Sequence, residues 1–481
     1  MMFYNVENLF DTIDDPLTDD DAFTPEGIYH WTEGRYRRKC EHLAWVISNV
    51  GEWGFPSLIG MVEVENSDVI RDLVKHPTLS SVTYDYVVTN GSDPRGVDVA
   101  LLWDQKRFAY IEAHEIPHYG ATDCFPLGQD PRTPSEADGS GRNTLWVTLE
   151  HRATERKLEL FVMHNPSRRG GVRATSRKRE RVNAKVRKLI DYLLEEDPSR
   201  YVVVMGDFND NPSDPSMRRA LRAGGIEHNT QPKQRFLYNL AYPLYNGGKG
   251  THRFGKEVWL PDQIIVSGGL FLGEEPLLRE RRQQIFSHPE LLTKDGKHLH
   301  RTYLGTHYTG GYSDHLPIYR LILMRGIKLL FVGKTDSPEI QKLMQEYQRR
   351  LSRFVPIEVE ELPDLKNRKR LSQEEQKLEE GRLIKAAIGP QDQVVLLDER
   401  GKEPTSLQLA KMVEGWQMTV ARKLVLVIGG PYGFSDEIYQ AYPERLSLSS
   451  LTFNHQMVRL FLIEQVYRAY TIIHNHPYHH E

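Results

Sequence analysis

The sequence is poor in cysteine and in long apolar runs. Only two cysteines occur among 481 residues, which excludes a disulfide scaffold and a thiolate zinc site, and a reducing cytoplasm is the expected location. No apolar run approaches the roughly 18 residues that a membrane-spanning helix needs, and the first residues resemble a strand and not a basic and apolar leader. Neither membrane insertion nor secretion is therefore expected.

A net charge of one sign is also lacking. The formal net charge is −4, from 62 Lys and Arg against 66 Asp and Glu, so a globally basic surface is excluded. Any nucleic-acid contact must therefore come from a local patch. Residues 168–187 are crowded with Arg and Lys, and the sequence is equally compatible with a nucleic-acid contact and with a solvated helix face at this segment.

The length and the absence of a linker bear on domain organisation. With 481 residues the chain is too long for one core, and 39% hydrophobic residues are enough for globular packing. No stretch rich in Gly, Ser or Pro interrupts it between two apolar strand-like runs that flank Met324–Gly326. We therefore predict two directly joined domains, one over residues 1–323 and one over residues 327–481.

Short apolar runs alternate with polar helical stretches in the first 323 residues, which predicts an α/β fold. The predicted strands are 57–64, 97–103, 145–149, 158–163, 201–206 and 263–266. A long charged stretch over 177–195 places Val182, Val186, Ile190 and Leu193 at helical spacing and predicts a helix.

Acids, amides and histidines fall at or near the ends of strand-like runs, with Asn5 after the first run of the chain and Asp262 before the run 263–266. They are Asn5, Glu63, His164, Asp207 and Asn209 in Gly-Asp-Phe-Asn, Asp262, and Asp314 and His315 in Ser-Asp-His. Taken singly, Asp207 is explained by a turn and His164 by a satisfied strand-end histidine. In this order they resemble the endonuclease/exonuclease/phosphatase superfamily over residues 2–323. The resemblance implies the DNase-I-like four-layer α/β sandwich and hydrolysis of a phosphoester with Mg²⁺ or Mn²⁺.

The resemblance also implies a role for each residue. The implied metal ligands are Asn5, Glu63 and Asp314. Asp207 would orient or deprotonate the attacking water, and Asn209 would hold the water or the phosphate. His164 and His315 would contact phosphate oxygens, with Asp262 favouring the cationic form of His315. The superfamily contains DNA and RNA nucleases and phosphatases of nucleotides and lipids, so the substrate class stays open.

From residue 327 onward, strands and helices alternate, which predicts a parallel α/β sheet. The predicted strands are 327–333, 357–362, 393–397, 424–428 and 445–448. The predicted helices are 338–350, about 372–387, 406–417, 436–442 and 455–473.

Three tracts near the carboxyl end carry the chemistry expected of this second domain. They are Val-Val-Leu-Leu-Asp-Glu-Arg-Gly-Lys at 394–402, Leu-Val-Ile-Gly-Gly-Pro-Tyr-Gly-Phe-Ser at 426–435, and Leu-Ser-Leu-Ser-Ser-Leu-Thr-Phe-Asn-His-Gln-Met-Val-Arg at 446–459. With the final Asn-His-Pro-Tyr-His-His-Glu, they resemble the SPOUT-class family that methylates N3 of a pseudouridine in 23S ribosomal RNA. Singly, the glycine-rich tract is explained by a loop and the serine-rich tract by an edge strand.

That resemblance implies a trefoil knot, S-adenosyl-L-methionine as cofactor, and methylation of the pseudouridine usually numbered 1915 in the assembled 70S ribosome. The implied cofactor-binding residues are Leu397, Gly429, Leu448, Ser449, Ser450, Leu451, Thr452 and Phe453. Arg468 and His479 would position RNA or cofactor, and Tyr478 would stack or hydrogen-bond. Members act as homodimers in which each tail completes a composite site. We expect Gly429→Val to weaken cofactor binding far more than folding.

Two alternatives of other classes stay open. In one, the first domain is catalytically idle and binds nucleic acid or a protein partner. In the other, the second domain only dimerises a nuclease. The intact set of polar residues in the first domain disfavours the former, and the intact cofactor tracts and tail disfavour the latter.

Overall fold

The fold is known from a computed structural model. It describes residues 1–50, 55–120, 123–129, 141–152, 155–226, 231–254, 257–272, 278, 281–320, 326–352, 354–355, 357–365, 371–389, 392–419, 423–451, 453–473, 476 and 478. By their internal contacts these residues divide into two units, one within 1–320 and one from 326 onward. None of the described helices has both the length and the apolar character needed to cross a membrane.

The first unit is built from short strands and a few helices. Its strands are β1 Met2–Leu9, β2 Leu58–Val64, β3 Tyr84–Val88, β4 Asp98–Asp104, β5 Phe108–Pro117, β6 Phe125–Pro126, β7 Asn143–His151, β8 Arg156–His164, β9 Tyr201–Asp207, β10 Ala223–Gly224, β11 Leu237–Asn239, β12 His252–Phe254, β13 Glu257–Trp259, β14 Asp262–Ser267, β15 Gln284–Ile285, β16 Tyr303–Leu304, β17 His307–Tyr308 and β18 Ile318–Tyr319. Its helices are α1 Glu33–Asn49, α2 Ser67–Val74, α3 Val172–Glu196 and α4 Tyr242–Asn246.

Two sheets of this unit pack face to face. Within the described residues, one sheet has the order β15-β18-β1-β2-β4-β3 and the other β10-β11-β14-β9-β8-β7-β5-β6. The approach is close at Gly60 in β2, where an added Cβ would lie only 2.7 Å from Sδ of Met205 in β9. A side chain at Gly60 would therefore push the sheets apart.

Helices cover the outer faces of both sheets. Alternate residues of β1, namely Met2, Tyr4 and Val6, pack with apolar residues of α1 and α2. The apolar side of α3 packs on the other sheet through a cluster that contains Val182 and Val186. The layers run helix, sheet, sheet, helix, which confirms the predicted four-layer α/β sandwich.

The second unit is a parallel five-stranded sheet flanked by helices. Its strands are β19 Gly326–Val332, β20 Ile357–Leu362, β21 Gln393–Lys402, β22 Lys423–Ile428 and β23 Arg445–Leu446, in the order β20-β19-β22-β21-β23 among the described residues. Its helices are α5 Pro338–Leu351, α6 Gln373–Ala387, α7 Ser406–Thr419, α8 Asp436–Ala441 and α9 Met457–Ile473. Every pairing is parallel, so the α/β prediction is confirmed. The trefoil knot stays a prediction.

Two predicted strand ends in this unit are wrong. Strand β21 continues past Leu397 to Lys402, because after a register shift Lys402 pairs with Leu446. The segment predicted as a strand over 445–448 is strand only at Arg445–Leu446. Gly401 lies so close to Leu446 that an added Cβ would be 2.6 Å from its backbone, so a side chain at Gly401 would prevent this pairing.

Candidate functional site

Two parallel strand pairs of the first unit bring polar residues together between the sheets. His164 and Asp207 are the last residues of β8 and β9 and are directly paired. Asn5 lies in β1, which pairs in parallel with β2, the strand that carries Glu63. The strand ends that the sequence marks with polar residues are therefore neighbours in the fold.

The side chains of these four residues meet. Nδ2 of Asn5 lies 3.1 Å from Oδ2 of Asp207 and 3.4 Å from Oε1 of Glu63. Nε2 of His164 lies 3.7 Å from the same two carboxylate oxygens. Burial, aided by the positive charges of Arg142 and Arg95, holds the pKa of His164 well below its usual range. The imidazole of His164 is therefore neutral near pH 7.

The second histidine of the site, His315, is cationic, whereas His164 is neutral. Nδ1 of His315 lies 2.7 Å from Oδ2 of Asp262, an oxygen that also accepts from the Thr251 hydroxyl. Nε2 of His315 lies 3.9 Å from Oδ2 of Asp207. Burial disfavours the cation, but the carboxylates of Asp262 and Asp207 outweigh it and hold the pKa of His315 well above its usual range. A cationic imidazole therefore faces Asp207.

Asp207 is a carboxylate in an unusual environment. Burial, together with the charge of Asp262, raises the pKa of Asp207 to about 6 although His315 opposes the shift. The backbone N–H of Asn209 donates to Oδ1 of Asp207 over 2.9 Å, and Nδ2 of Asn209 donates to the carbonyl of Asn165 over 3.0 Å. A carboxylate with a pKa close to neutral can take up a proton during a reaction.

Backbone strain accompanies the site. Glu63 and Asn209 have φ of 64° and 50°, in the left-handed region that residues other than glycine rarely adopt. Asn tolerates this conformation, whereas Glu63 is held in it at a register shift between β2 and β4. Strain of this kind costs on the order of 1–3 kcal/mol per residue and is often found where a side chain must be aimed at a ligand.

Asp314 is held by a neighbouring guanidinium. Nη2 of Arg301 donates to Oδ2 of Asp314 over 3.1 Å, and Nε of Arg301 donates to Oε1 of Glu7 over 2.8 Å. Burial would raise the pKa of Asp314, but the charges of His315 and Arg301 dominate and lower it. Asp314 is therefore an anion in the resting protein.

The donor set fits a hard divalent cation. Glu63 offers a carboxylate that is 17% exposed and therefore reachable from solvent. Asn5 lies beside it, and its Oδ1 accepts only one hydrogen bond within the described residues, 3.0 Å from the N–H of Glu7. Carboxylate and amide oxygens are the ligands that Mg²⁺ and Mn²⁺ prefer.

The second unit gathers its predicted cofactor residues at one edge of the parallel sheet. Leu397 in β21 pairs with both Ile428 and Leu446, Gly429 follows β22 directly, and Leu448 follows β23. In parallel α/β sheets, the carboxyl ends of the strands are where ligands bind. The structure therefore brings Leu397, Gly429 and Leu448 to a common edge.

The loop after β23 has an ordered base and an exposed tip. Leu397 and Leu448 pack against the core of the unit. The N–H of Ser450 donates to Glu403 over 2.9 Å, and the N–H of Leu451 donates to Oγ of Ser449 over 3.0 Å. Leu451 is 70% exposed and Phe453 is 37% exposed. Leu451 and Phe453 therefore present exposed apolar surface near the carboxyl ends of these strands. Thr452 lies outside the described residues.

Arg468 and Tyr478 form a second polar cluster near the end of α9. Tyr478 donates to Oε1 of Glu464 over 3.1 Å, and Nη2 of Arg468 reaches the same oxygen over 2.6 Å. The guanidinium of Arg468 lies 4.9 Å from the ring centroid of Tyr478, and the ring centroids of Tyr467 and Tyr478 are 4.8 Å apart. Arg468 lies about 16 Å along the helix from Met457. The cluster is therefore far along α9 from the cofactor loop, and His479 lies outside the described residues.

Comparison with known proteins supports the assignment of each unit. A family model for the Endonuclease/Exonuclease/phosphatase family matches residues 1–324, and a model for a predicted SPOUT methyltransferase matches residues 324–479. The second part is 52% identical to the ribosomal RNA large subunit methyltransferase H of Parabacteroides distasonis over 155 residues, which are 32% of this chain and 99% of that protein. The chain belongs to both families.

A further relative and two solved structures are each similar to one part of the chain. The methyltransferase H of Flavobacterium johnsoniae is 47% identical over 155 residues, again 32% of this chain and 99% of that protein. A solved mannosyl-6-phosphatase from Bacteroides thetaiotaomicron is 16% identical, with a TM-score of 0.41, over 66% of this chain and 96% of that one. The human Nocturnin catalytic domain is 18% identical, with a TM-score of 0.37, over 65% of this chain and 90% of that one.

Several residues of the candidate site in the first unit are not among those predicted from the sequence. Nζ of Lys39, which is 1% exposed, donates to Thr302 and to the carbonyl of Tyr312 over 2.6 Å each. Burial lowers the pKa of Lys39 to about 8, and burial together with Asp314 raises the pKa of Glu7 to about 7. The alternation Asn-Val-Glu in β1 was an available signal for Glu7, whereas nothing in the sequence of α1 singles out Lys39.

His252 is another such residue. Its ring centroid lies 4.5 Å from that of His315, and its Nδ1 donates to the carbonyl of Asp314 over 2.8 Å. Burial and the cationic His315 lower the pKa of His252. His252 lies on the hairpin before Asp262 and belongs to none of the motifs, so only the fold reveals that it lines the site.

The expectation that Gly429→Val weakens cofactor binding more than folding stays a prediction, and the surroundings of Gly429 add a folding cost to it. An added Cβ at Gly429 would lie 3.0 Å from Cε1 of Phe434, a residue that is 4% exposed. A side chain at Gly429 would therefore meet the buried ring of Phe434. Gly429 permits the close packing of this loop against Phe434.

We accordingly expect Gly429→Ala to destabilise the methyltransferase unit. Overpacking against Phe434 should lower the free energy of unfolding of this unit by about 1–3 kcal/mol. Calorimetry of the second unfolding transition measures the effect. The control is Gly415→Ala in α7, where an added Cβ meets nothing within 4 Å and helix propensity favours alanine. An unchanged transition in Gly429→Ala would contradict this folding cost.

Proposed function

We propose that the first unit hydrolyses phosphoesters with the help of a divalent cation. The observation that carries this proposal is the position of Asp207, whose Oδ2 lies within 3.1–3.9 Å of side-chain nitrogens of Asn5, His164 and His315. One carboxylate is thus close to two imidazoles of different charge and to Asn5, one of the residues proposed as metal ligands. This combination suits proton transfer next to an anionic substrate.

Each polar residue around Asp207 has a proposed role in the hydrolysis. Asp207 takes a proton from water as the water oxygen bonds to phosphorus and the bond to the leaving oxygen breaks. Cationic His315, fixed by Asp262, and the N–H of neutral His164 donate hydrogen bonds to phosphoryl oxygens. Asn209 holds the turn after Asp207 and offers its amide to the water or the phosphate.

Asn5, Glu63 and Asp314 are the residues proposed to hold the cation. When bound, Mg²⁺ or Mn²⁺ offsets negative charge on the phosphoryl group. Asp314 can join this set only by sharing its carboxylate with Arg301, to which it is bonded. Burial, together with the neighbouring carboxylates Asp314 and Asp262, raises the pKa of Glu7 and of Asp207, and a bound cation would favour their ionised forms.

Removal of divalent cations should stop hydrolysis and leave methylation intact. Excess chelator is expected to abolish turnover of a chromogenic phosphoester, and Mg²⁺ or Mn²⁺ is expected to restore it, because the proposed ligands are hard oxygens. Both activities are measured on one preparation. Hydrolysis that persists in excess chelator would contradict the assignment of Asn5, Glu63 and Asp314.

We further propose that the second unit transfers a methyl group to N3 of the pseudouridine usually numbered 1915 in 23S ribosomal RNA. The proposal is supported by the 52% identity to a ribosomal RNA methyltransferase across 99% of its length. It implies the assembled 70S ribosome as partner and the cytoplasm as location. The experiment that tests it is transfer of labelled methyl groups to ribosomes that lack this modification.

The geometry favours a homodimer for this reaction. Leu397, Gly429 and the loop 448–453 would hold S-adenosyl-L-methionine, which supplies the methyl group. Arg468 and Tyr478 lie toward the other end of α9 from that loop, so a second copy is the proposed source of the tail that completes each site. Tyr478 would stack on or hydrogen-bond to the RNA base, and Arg468 and His479 would position the RNA or the cofactor.

A further inference from the structure

Helix α3 has a buried side whose arginines are structural. Nε of Arg179, which is fully buried, lies 2.7 Å from Oδ2 of Asp210. Arg168, just before the helix, donates to Oδ1 of Asp210 over 2.8 Å, and Arg187 lies 2.7 Å from Oδ1 of Asp191. These three cations of the crowded segment 168–187 are thus neither a solvated face nor a free nucleic-acid contact.

Five cations lie on the other side of α3 and in the loop that precedes it, and we call them the basic stripe. The basic stripe consists of Arg169, Arg173, Arg177, Lys178 and Arg181. All five are exposed, and within the described part of the chain their side chains make no ion pair or hydrogen bond. Between residues 168 and 188 the sequence has a single acid, Glu180, whose carboxylate accepts from Ser176 over 2.9 Å. The positive charge of the stripe is therefore not neutralised locally.

The spacing of these cations opposes helix stability. Arg173, Arg177 and Arg181 follow one another at intervals of four residues, so they are neighbours on one helix face. Like charges at this spacing cost on the order of 0.2–0.5 kcal/mol per pair. The three residues span about 12 Å along the axis. A linear polyanion bound along this face would attract all three arginines and offset the repulsion between them.

The basic stripe begins beside the hydrolytic site. Only the loop 165–171 separates His164 from α3, and this loop is bonded to the site at two points. Asn209 donates from Nδ2 to the carbonyl of Asn165 over 3.0 Å, and Arg168 donates from Nε to the carbonyl of Asn209 over 2.7 Å. The guanidinium of Arg168 also lies 4.4 Å from the ring centroid of Trp259. A strand bound along the stripe would thus reach the site at its end.

We propose that the basic stripe binds the phosphate backbone of single-stranded RNA and leads that strand into the site around Asp207. The inference rests on the proposed hydrolysis and makes its substrate a polynucleotide, not a nucleotide, sugar or lipid phosphate. At about 3.4 Å per nucleotide of a stacked strand, 12 Å of helix covers the phosphates of three or four nucleotides. RNA is the chosen occupant because the proposed methyltransferase acts on RNA.

The test compares two triple variants of the full chain. In the stripe variant, Arg173, Arg177 and Arg181 are each replaced by Gln, which keeps helix propensity and removes three charges. In the control variant, the exposed Lys75, Lys106 and Lys157 are each replaced by Gln. Lys157 is the second residue of β8, the strand that ends at His164, so it lies about 23 Å from the site. Binding of a labelled single-stranded RNA is followed by anisotropy in chelator over a range of salt concentrations.

The stripe variant should bind this RNA at least about tenfold more weakly than the wild type. Its plot of log affinity against log salt should be shallower by about two, because three phosphate contacts are lost at about 0.7 each. In Mg²⁺, KM for RNA cleavage should rise by the same factor with kcat unchanged. The control variant should match the wild type in all three measurements.

Other outcomes distinguish a failure of the RNA-binding proposal from a failure of the proposed hydrolysis. Wild-type affinity and salt slope in the stripe variant would overturn the proposal, as would an equal loss in the control variant. A loss seen only with single-stranded DNA or with anionic lipid vesicles would overturn RNA as the occupant. Hydrolysis of a small nitrophenyl phosphodiester should be equal in both variants and the wild type. Its absence from the wild type would refute the proposed hydrolysis and not the binding.

Discussion

Replacing Asp207 by Asn is expected to lower phosphoester hydrolysis by about 10²–10⁴-fold, because an amide cannot take the proton of the attacking water. Methyl transfer by the same preparation should stay at the wild-type rate, since the two sites belong to separate units with separate cores. Initial rates on a chromogenic phosphoester and on ribosomes with labelled cofactor measure both effects.

The substitution also changes a buried hydrogen bond, so folding must be followed. Oδ2 of Asp207 accepts from Nδ2 of Asn5 over 3.1 Å, and an amide NH₂ in its place would leave this contact unmade at a cost of about 1–3 kcal/mol. Calorimetry should show the first unit still folded. Hydrolysis near the wild-type rate in folded Asp207→Asn would remove Asp207 from the proton transfer, and loss of both activities would contradict independent units.

Deleting residues 478–481 is expected to reduce methyl transfer to ribosomes by more than about 100-fold, because the deletion removes Tyr478 and His479 from the proposed composite site. The cofactor loop and α9 are left in place, so the truncated protein should stay dimeric and bind S-adenosyl-L-methionine. Sedimentation, calorimetric titration and methyl incorporation measure the three properties.

The matched control for this deletion is Tyr478→Phe. It keeps the ring contact with Tyr467 and the stacking with Arg468 but loses the hydrogen bonds of the hydroxyl to Glu464 and Tyr347. A rate loss shared by the deletion and by Tyr478→Phe would assign the role to the hydroxyl. A truncated dimer that methylates ribosomes at the full-length rate would show that the tail takes no part in the reaction.

Most of the strands and helices are predictable from the local periodicity of apolar residues. The apolar runs of the second unit predict the order of its strands and helices and most of their ends, because several strands are continuous apolar runs and α5 and α6 begin at the capping residues Ser337 and Ser372. The extension of β21 to Lys402 was not predictable, since it depends on pairing with Leu446, which lies 44 residues further along the chain.

The candidate site was predictable only in part, for a physical reason. Asn5 and Glu63 lie in the paired strands β1 and β2, and His164 and Asp207 end the paired strands β8 and β9, so strand pairing brings these four residues together. Lys39, His252 and Arg301 reach the same place through long-range packing that leaves no local pattern. The close approach of Gly429 to Phe434 was likewise not predictable, because the sequence of a glycine-rich loop does not show which buried side chain an added Cβ would meet.

The claim that one chain carries two separate enzymes is tested most directly by a paired assay of the purified protein. One arm measures transfer of labelled methyl groups from S-adenosyl-L-methionine to unmodified 70S ribosomes. The other measures hydrolysis of RNA, DNA and small phosphoesters in Mg²⁺ and in chelator. We predict methyl incorporation at one pseudouridine and Mg²⁺-dependent hydrolysis that is strongest on RNA. Absence of either activity from a folded, dimeric preparation would contradict the account.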